Sequence, residues 1–265
     1  MSDMTDADTL FRDGDLDGAR AALVEIVKSQ PSDQQARMFL FQLLALAGEW
    51  DKAKNQLQTL AKLSPEAQML AVTYEQAMAA EQQRAEVFAG AREMPVLAGQ
   101  DGWAATLARS LTLLVQGDLN GAQAARSEAF DAAPDTPGEL DGQRFDWVAD
   151  ADIRFGPSFE AIIHGRYGLI GFDQITSITS TGPRDLRDTV WYPVQIAFRK
   201  GQSIAALLPA RYPGSETVGN AAQRLGRATA WVDFGAGEVG CGQHLWSLSE
   251  GEEHGLLDLR SVVFD

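Results

Sequence analysis

Cysteine, histidine and positive charge are the scarce resources of this 265-residue chain, which has one Cys, three His and 22 Lys+Arg against 37 Asp+Glu. A single thiol, Cys241, excludes an intramolecular disulfide and fits a reducing compartment. The formal charge of -15 is uneven: residues 1 to 140 carry 11 basic against 21 acidic side chains, and residues 141 to 265 carry 11 against 16. With no Lys/Arg-rich run to neutralise phosphates, neither nucleic acid nor an anionic membrane surface is an expected partner. Long apolar runs are missing too. The most apolar window, Met38 to Ala47, is interrupted by Gln42 and is too short to span a bilayer. The opening Met1-Ser2-Asp3, followed by Asp6 and Asp8, lacks the basic n-region of a signal peptide, so the expected location is cytoplasmic.

What is present is a 45% hydrophobic content, enough for a large core or two ordinary ones, and a repeat. Gly14, Ala19 and Pro31 are followed 34 residues later by Gly48, Ala53 and Pro65, and Asp15-Leu16-Asp17 is answered by Glu49-Trp50-Asp51. The trio returns at Gly117, Ala122 and Pro134. The spacing has a physical reading: glycine ends one helix where positive φ is cheap, an acidic residue caps the next, and a small alanine lets two helices approach closely. Proline then stops the second helix and starts the turn to the next unit. Between these marks apolar residues recur at helical spacing, as in Leu16, Ala19, Leu23, Ile26 and Val27. The pattern resembles the tetratricopeptide repeat, whose helical hairpins stack into a superhelix with a concave groove. The signature lapses between residues 66 and 100, where Glu66 to Gly90 reads as one longer helix and Met94 to Asp101 as a loop.

Composition shifts after Pro134. Asp135-Thr136-Pro137-Gly138 is a turn-rich linker, and 16 of the 25 glycines and four of the six tryptophans lie beyond Leu140. Short β-prone runs follow: Phe159 to Ile163, Leu169 to Ile178, Val190 to Phe198, Ser203 to Leu208, Trp231 to Phe234, His244 to Leu248 and Leu256 to Phe264. Glu216 to Arg227 is the one convincing helix among them. The expected fold is therefore α+β in two domains: a TPR-like helical repeat domain over 1–136 and a mostly antiparallel, β-rich domain over 137–265.

Three strings in the second half are distinctive: Asp150-Ala151-Asp152-Ile153-Arg154-Phe155-Gly156-Pro157, Trp191-Tyr192-Pro193-Val194, and Leu208-Pro209-Ala210-Arg211-Tyr212-Pro213-Gly214-Ser215-Glu216. Together with the layout of the whole chain they resemble the ImpE family, also called TagJ or SciE, accessory proteins of the bacterial type VI secretion system. The resemblance implies a cytoplasmic adaptor of the contractile sheath that binds an N-terminal helix of the small sheath subunit, TssB. It also implies a connection to ClpV, the ATPase that recycles the sheath. It singles out Asp152, Arg154, Trp191, Pro193, Arg211, Tyr212, Pro213, Gly214, Ser215 and Glu216 as motif residues but attaches no chemistry to them. Of these, Arg211, Tyr212 and Glu216 form a contact surface or, more simply, a turn and the cap of a following helix.

Candidate chemical sites give way to structural readings. Gly235-Ala236-Gly237-Glu238-Val239-Gly240 matches G-x-G-x-x-G, yet Cys241-Gly242 follows where a dinucleotide fold needs a helix, so a glycine turn between strands is expected. Glu252, Glu253 and His254 are consecutive and flanked by Gly251 and Gly255, which reads as an acidic turn rather than a metal site. His164 and His244 share no paired motif; Glu160 and His164 would share a strand face as an exposed or satisfied pair. Cys241 sits among glycines, where it could be exposed, with no basic neighbour in sequence to lower its pKa, and Ser215 is not in a G-x-S-x-G elbow. No enzyme, cofactor or metal is expected. The opposing expectation is a small-ligand or enzymatic second domain docked by the repeats. For the adaptor reading the partner helix enters the concave groove, with Gln35, Met38 and Gln42 on its inner wall and the acidic balance selecting basic residues beside the partner's apolar stripe.

Overall fold

The computed structural model describes residues 3–100, 102–235 and 237–265. Helices α1 (Met4–Arg12), α2 (Leu16–Ser29), α3 (Gln34–Leu46) and α4 (Trp50–Leu63) form two hairpins, α5 (Pro65–Phe88) is a long helix stacked on α4, and α6 (Trp103–Val115) with α7 (Leu119–Ala132) makes a further hairpin. Gly14, Gly48 and Gly117 sit at φ +83°, +70° and +84° at the ends of α1, α3 and α6. There the residue after each glycine closes the turn, as Asp15 N donates to Leu10 O and Glu49 N to Leu44 O. Asp15 and Asp118 cap α2 and α7 through the backbone N–H of Gly18 and Gly121. Glu49 makes no such cap bond and pairs with Arg20 and Lys52 instead. Ala19, Ala53 and Ala122 are buried, which is the close approach the small residue permits.

The remainder is a sheet-rich body. Its strands are β1 (Val96–Ala98), β2 (Gly138–Leu140), β3 (Gln143–Phe145), β4 (Val148–Asp150), β5 (Ser158–Ile163), β6 (Arg166–Gly171) and β7 (Ile175–Thr179). They continue as β8 (Trp191–Phe198), β9 (Ser203–Pro209), β10 (Thr229–Asp233), β11 (Glu238–Gly242), β12 (Leu245–Leu248), β13 (Glu253–Gly255) and β14 (Ser261–Phe264). Nine of them hydrogen-bond in the order β1-β6-β5-β9-β8-β7-β14-β2-β3, beside a three-stranded sheet β13-β12-β4 and a β10-β11 hairpin. Every described pair is antiparallel except β1 with β6.

Three local expectations change. The stretch Met94 to Asp101, read as a loop, contains β1, because Leu169 N donates to Pro95 O and Val96 and Ala98 find register on β6; Asp101 lies outside the described residues. A parallel partner some seventy residues away leaves no local trace. Glu216 to Arg227 is two one-turn helices, α8 (Ser215–Val218) and α9 (Ala221–Arg224), split at Gly219, where Asn220 caps the second turn through Gln223 N. The run Leu169 to Ile178 breaks at the 3-10 turn Phe172–Gln174 into β6 and β7.

One face of the large sheet packs on the helices. The resulting core mixes Phe41, Leu57, Tyr74, Ala77 and Met78 with Ile162, Tyr167, Leu169, Trp191 and Tyr212. The other face closes a second core with Phe159, Phe172, Ile178, Trp246 and Phe264. Because β1 and the first core tie both halves together, far-UV circular dichroism at the helix bands and tryptophan fluorescence should melt at one temperature. Two separated transitions would show halves that fold independently.

Candidate functional site

The concave side of the repeats, lined by α1, α3 and α5, has one filled end and one open end. At the filled end Trp191 lies against Tyr74 and Trp50, with ring centroids 5.3 and 5.7 Å away. The 3-10 turn Leu186–Thr189 packs on α3, and Arg187 Nε donates to Tyr74 Oη at 2.9 Å with its guanidinium over the ring. The expected trough is thus occupied over much of its length by the chain's own second half. What it covers is an aromatic cluster, Phe41 of α3, Trp50 of α4 and Tyr74 of α5.

Behind Trp191 lies a chain of buried charges that the sequence did not reveal. Glu81 and Arg84, three residues apart on α5, both face inward. Arg84 grips Glu160 of β5 with two bonds, Nε to Oε1 at 2.7 Å and Nη2 to Oε2 at 2.6 Å, and Nη2 also donates to Arg211 O at 2.8 Å. Tyr167 Oη donates to Glu160 Oε1. His244 then bridges Glu160 Oε2 and Asp150 Oδ2 through its two ring nitrogens, at 2.9 and 2.7 Å, while Tyr212 Oη donates to Asp150 Oδ1 at 2.9 Å. Burial alone would discharge the imidazole, but the flanking Asp150 and Glu160 carboxylates prevail and hold His244 up at about 9. Burial would likewise raise Glu160, yet Arg84 and His244 hold it down at about 2. Glu81 is pushed upward by burial, and its Oε1 accepts from Trp191 Nε1 at 3.1 Å. Arg84, Glu160, His244 and Asp150 are each no more than 6% exposed. An acid, a base and a cation are in register here, but with so little exposure the arrangement serves as a clasp between α5 and the sheet.

The motif residues converge on this clasp. Asp152 is fully buried, receives three bonds from Arg154, one from its backbone N–H and two from its guanidinium, and one from Gly240 N, and so pins the β4–β5 turn to β11. Arg211 Nη1 donates to Leu46 O, a terminal carbonyl of α3, at 2.9 Å and to Arg224 O at 2.7 Å. Burial lowers Arg211 to about 10, which leaves it cationic at neutral pH. Tyr212 stacks on Phe155. Pro213 is half-buried and leads into Gly214 at φ +86°, and the buried Ser215 Oγ donates to Tyr212 O while accepting from Gly242 N. Glu216 leans on Gly48, where an added Cβ would sit 2.8 Å from Glu216 Cγ. Pro193, opposite Leu207 on β9, gives its carbonyl to Ser180 Oγ. The string makes a turn into α8 but supplies that helix no side-chain cap, since Gly214 stands at the N-cap, and the side chains of Arg211 and Glu216 form the contact with the end of α3.

At the open end, Gln35, Met38 and Gln42 line one cavity of about 680 Å³, with Met4, Phe11 and Phe39 beside them and Leu186 as its far wall. The structure does bring these three together. It does not bring Glu160 to His164: Glu160 pairs with His244, and His164 occupies a turn at φ +50°. Cys241 is buried rather than exposed. Gly235 and Gly237 lie in the β10–β11 turn, where Phe234 N donates to Gly237 O, with Ala236 outside the described residues. Glu253 and His254 belong to β13, and among the described residues no cluster of His, Cys, Asp and Glu is arranged for a metal.

A relative, the type VI secretion system accessory component TagJ of Pseudomonas aeruginosa, is 44% identical over 260 residues, spanning 98% of this chain and 91% of TagJ. The chain belongs to the ImpE/TagJ family. A model of the ImpE protein family matches residues 142–263, so it takes in the Asp152–Arg154 turn, Trp191 and the Arg211 string, and a tetratricopeptide repeat model matches residues 10–73, the two leading hairpins. Protein VPA1032 of Vibrio parahaemolyticus, known from its crystal structure, shares the fold of this ImpE/TagJ member with a TM-score of 0.87 over 98% of this chain and 97% of that one, at 22% identity.

The clasp sets a pH window. His244, raised from 6.5 to about 9, contributes stability that is full below 6.5 and lost as pH rises through 9; Glu160, lowered from 4.5 to about 2, contributes above 4.5 and loses it as pH falls through 2. Each shift corresponds to about 3 kcal/mol, and the two are coupled, so they do not add. Denaturant titrations should find the native chain's stability falling between pH 6.5 and 9, and His244→Gln should lose that decline. Glu160→Gln, which strands Arg84 and His244, should cost about 3–5 kcal/mol at pH 6. A Glu160→Gln chain as stable as the native one would show that the clasp contributes nothing.

Proposed function

We propose that this chain is a non-enzymatic, cytoplasmic accessory protein of a type VI secretion system. In this reading the open end of its repeat groove holds an N-terminal amphipathic helix of the small contractile-sheath subunit. The observation that carries it is the cavity between α1 and α3, walled by Met4, Phe11, Met38, Phe39 and Leu186 and rimmed by Gln35, Gln42 and Asp8. Methionine and phenylalanine side chains adapt to varied apolar anchors, and glutamines offer both donors and acceptors to a helix's polar edge. The acidic repeat half favours a partner with basic residues next to its apolar stripe. The kinship with a type VI accessory component supplies the cellular setting. A tie to the ClpV ATPase completes the proposal: a protein that grips the sheath subunit's helix is placed to present it to the recycling machine.

The buried clasp supports an adaptor over an enzyme. Its ionisable groups hold the helical and sheet halves in one arrangement, so that the Leu186 wall stays fixed against α3. Co-purification with the small sheath subunit tests the reading. Capture should require that subunit's first helix, and Gln35→Lys with Gln42→Lys should weaken it about tenfold by setting like charges against a basic partner. Capture that survives both removal of the helix and the two lysines would overturn the groove assignment.

A further inference from the structure

A second cavity, of about 710 Å³, opens on the opposite side of the sheet body from the repeat groove's Gln35–Gln42 wall, and its chemistry is different. It lies where β5 ends at Ile163, one residue past its register pair with β9, Ile162 with Leu207, while β9 runs back to Ser203. Into the gap face half-buried Leu97, Ile163, Phe198 and Ile204, contributed by β1, β5, β8 and β9. An adjoining hollow of about 400 Å³ shares Leu97, Gly99 and Gln174 and extends the space to Trp103.

The rim is cationic in a chain of net charge -15. Arg166 and Lys200 are exposed, and among the described residues neither side chain makes a hydrogen bond or an ion pair, unlike those of Arg20, Arg84, Arg154 and Arg187. Arg199 is anchored at two points, through Nε to Asp173 O at 2.8 Å and through Nη1 to Asp265 O at 3.1 Å, both main-chain oxygens. The one carboxylate of the lining, Asp173, keeps Oδ1 buried without a hydrogen-bond partner over Gly171, where an added Cβ would be 2.3 Å away, while Oδ2 accepts from Gln174 Nε2 at 2.7 Å. Cations held at the mouth of an apolar hollow select a ligand with charge at one end only, since a multiply charged, wholly polar anion would desolvate against Leu97, Phe198 and Ile204 without return.

We infer that this basin is a binding site for a small amphipathic anion: an aliphatic or aromatic body seated between β1, β5, β8 and β9, with a carboxylate, sulfonate or phosphate at Arg166 and Lys200. The volume lies within the few-hundred to thousand Å³ range of small-molecule sites. The site is independent of the repeat groove and of the sheath-subunit proposal.

Calorimetric titration of the full chain with decanoate, decyltrimethylammonium and inorganic phosphate, each below any micelle concentration, tests the assignment. Decanoate should bind saturably at one site, and the double variant Arg166→Glu/Lys200→Glu, altered only at exposed turn and strand-end positions, should bind it about tenfold more weakly with an unchanged melting temperature. Decyltrimethylammonium and phosphate should give no saturable heat. The proposal is overturned if decanoate fails to bind, if the cationic detergent or phosphate binds as well, or if the double variant binds decanoate like the native chain.

Discussion

The two-bond grip of Arg84 on Glu160 joins a helix of the repeats to a strand of the sheet, and much of the molecule is arranged around keeping that pair dry. A buried ion pair is seldom a net gain, because two charges lose their water; it persists where every remaining lone pair and proton is met. Here they are met in sequence: Tyr167 on one carboxylate oxygen, His244 on the other, Asp150 behind His244, Tyr212 behind Asp150, the Arg211 carbonyl on Arg84 Nη2 and Glu81 Oε2 on Arg84 Nη1. Removing any one of them leaves the next exposed to an unsatisfied interior. Such an interaction discriminates between arrangements more than it stabilises any one of them, since a slipped register of β5 on β6 would strand the charge.

Fixing that arrangement has a consequence for the groove. Free hairpin repeats present their whole concave face to a partner; here Trp191 and the Leu186–Thr189 turn occupy the α3–α5 portion and leave only the α1–α3 end open. The sheet body thereby becomes one wall of the remaining cavity. A partner helix would meet both halves of the chain at once, which gives the second half a part in recognition that needs no chemistry of its own.

Sheet closure has a parallel effect elsewhere. β5 ends at Ile163, just past its register pair with Leu207 of β9, and an apolar hollow lies at that end of the sheet. The β5–β6 and β8–β9 turns then bring Arg166 and Lys200, distant in sequence, to the same mouth. The rim carries Arg166, Arg199 and Lys200 in a chain whose net charge is -15.

The repeat half was legible in the sequence because its rules are local: positive φ at Gly14, Gly48 and Gly117, caps at Asp15 and Asp118, and small residues at Ala19, Ala53 and Ala122 each act within a turn or a hairpin. The strings around Asp152, Trp191 and Arg211 were equally visible as patterns, and Gln35, Met38 and Gln42 could be set on one helix face by period alone. Their meaning was decided elsewhere. That Glu160 answers Arg84 and His244, across 76 and 84 residues, is a matter of which surfaces meet. So is the entry of Val96–Ala98 into the sheet beside β6. Buried charges and parallel pairings take their stability from partners far along the chain, and a sequence read by neighbourhood carries no sign of them until the two cores close.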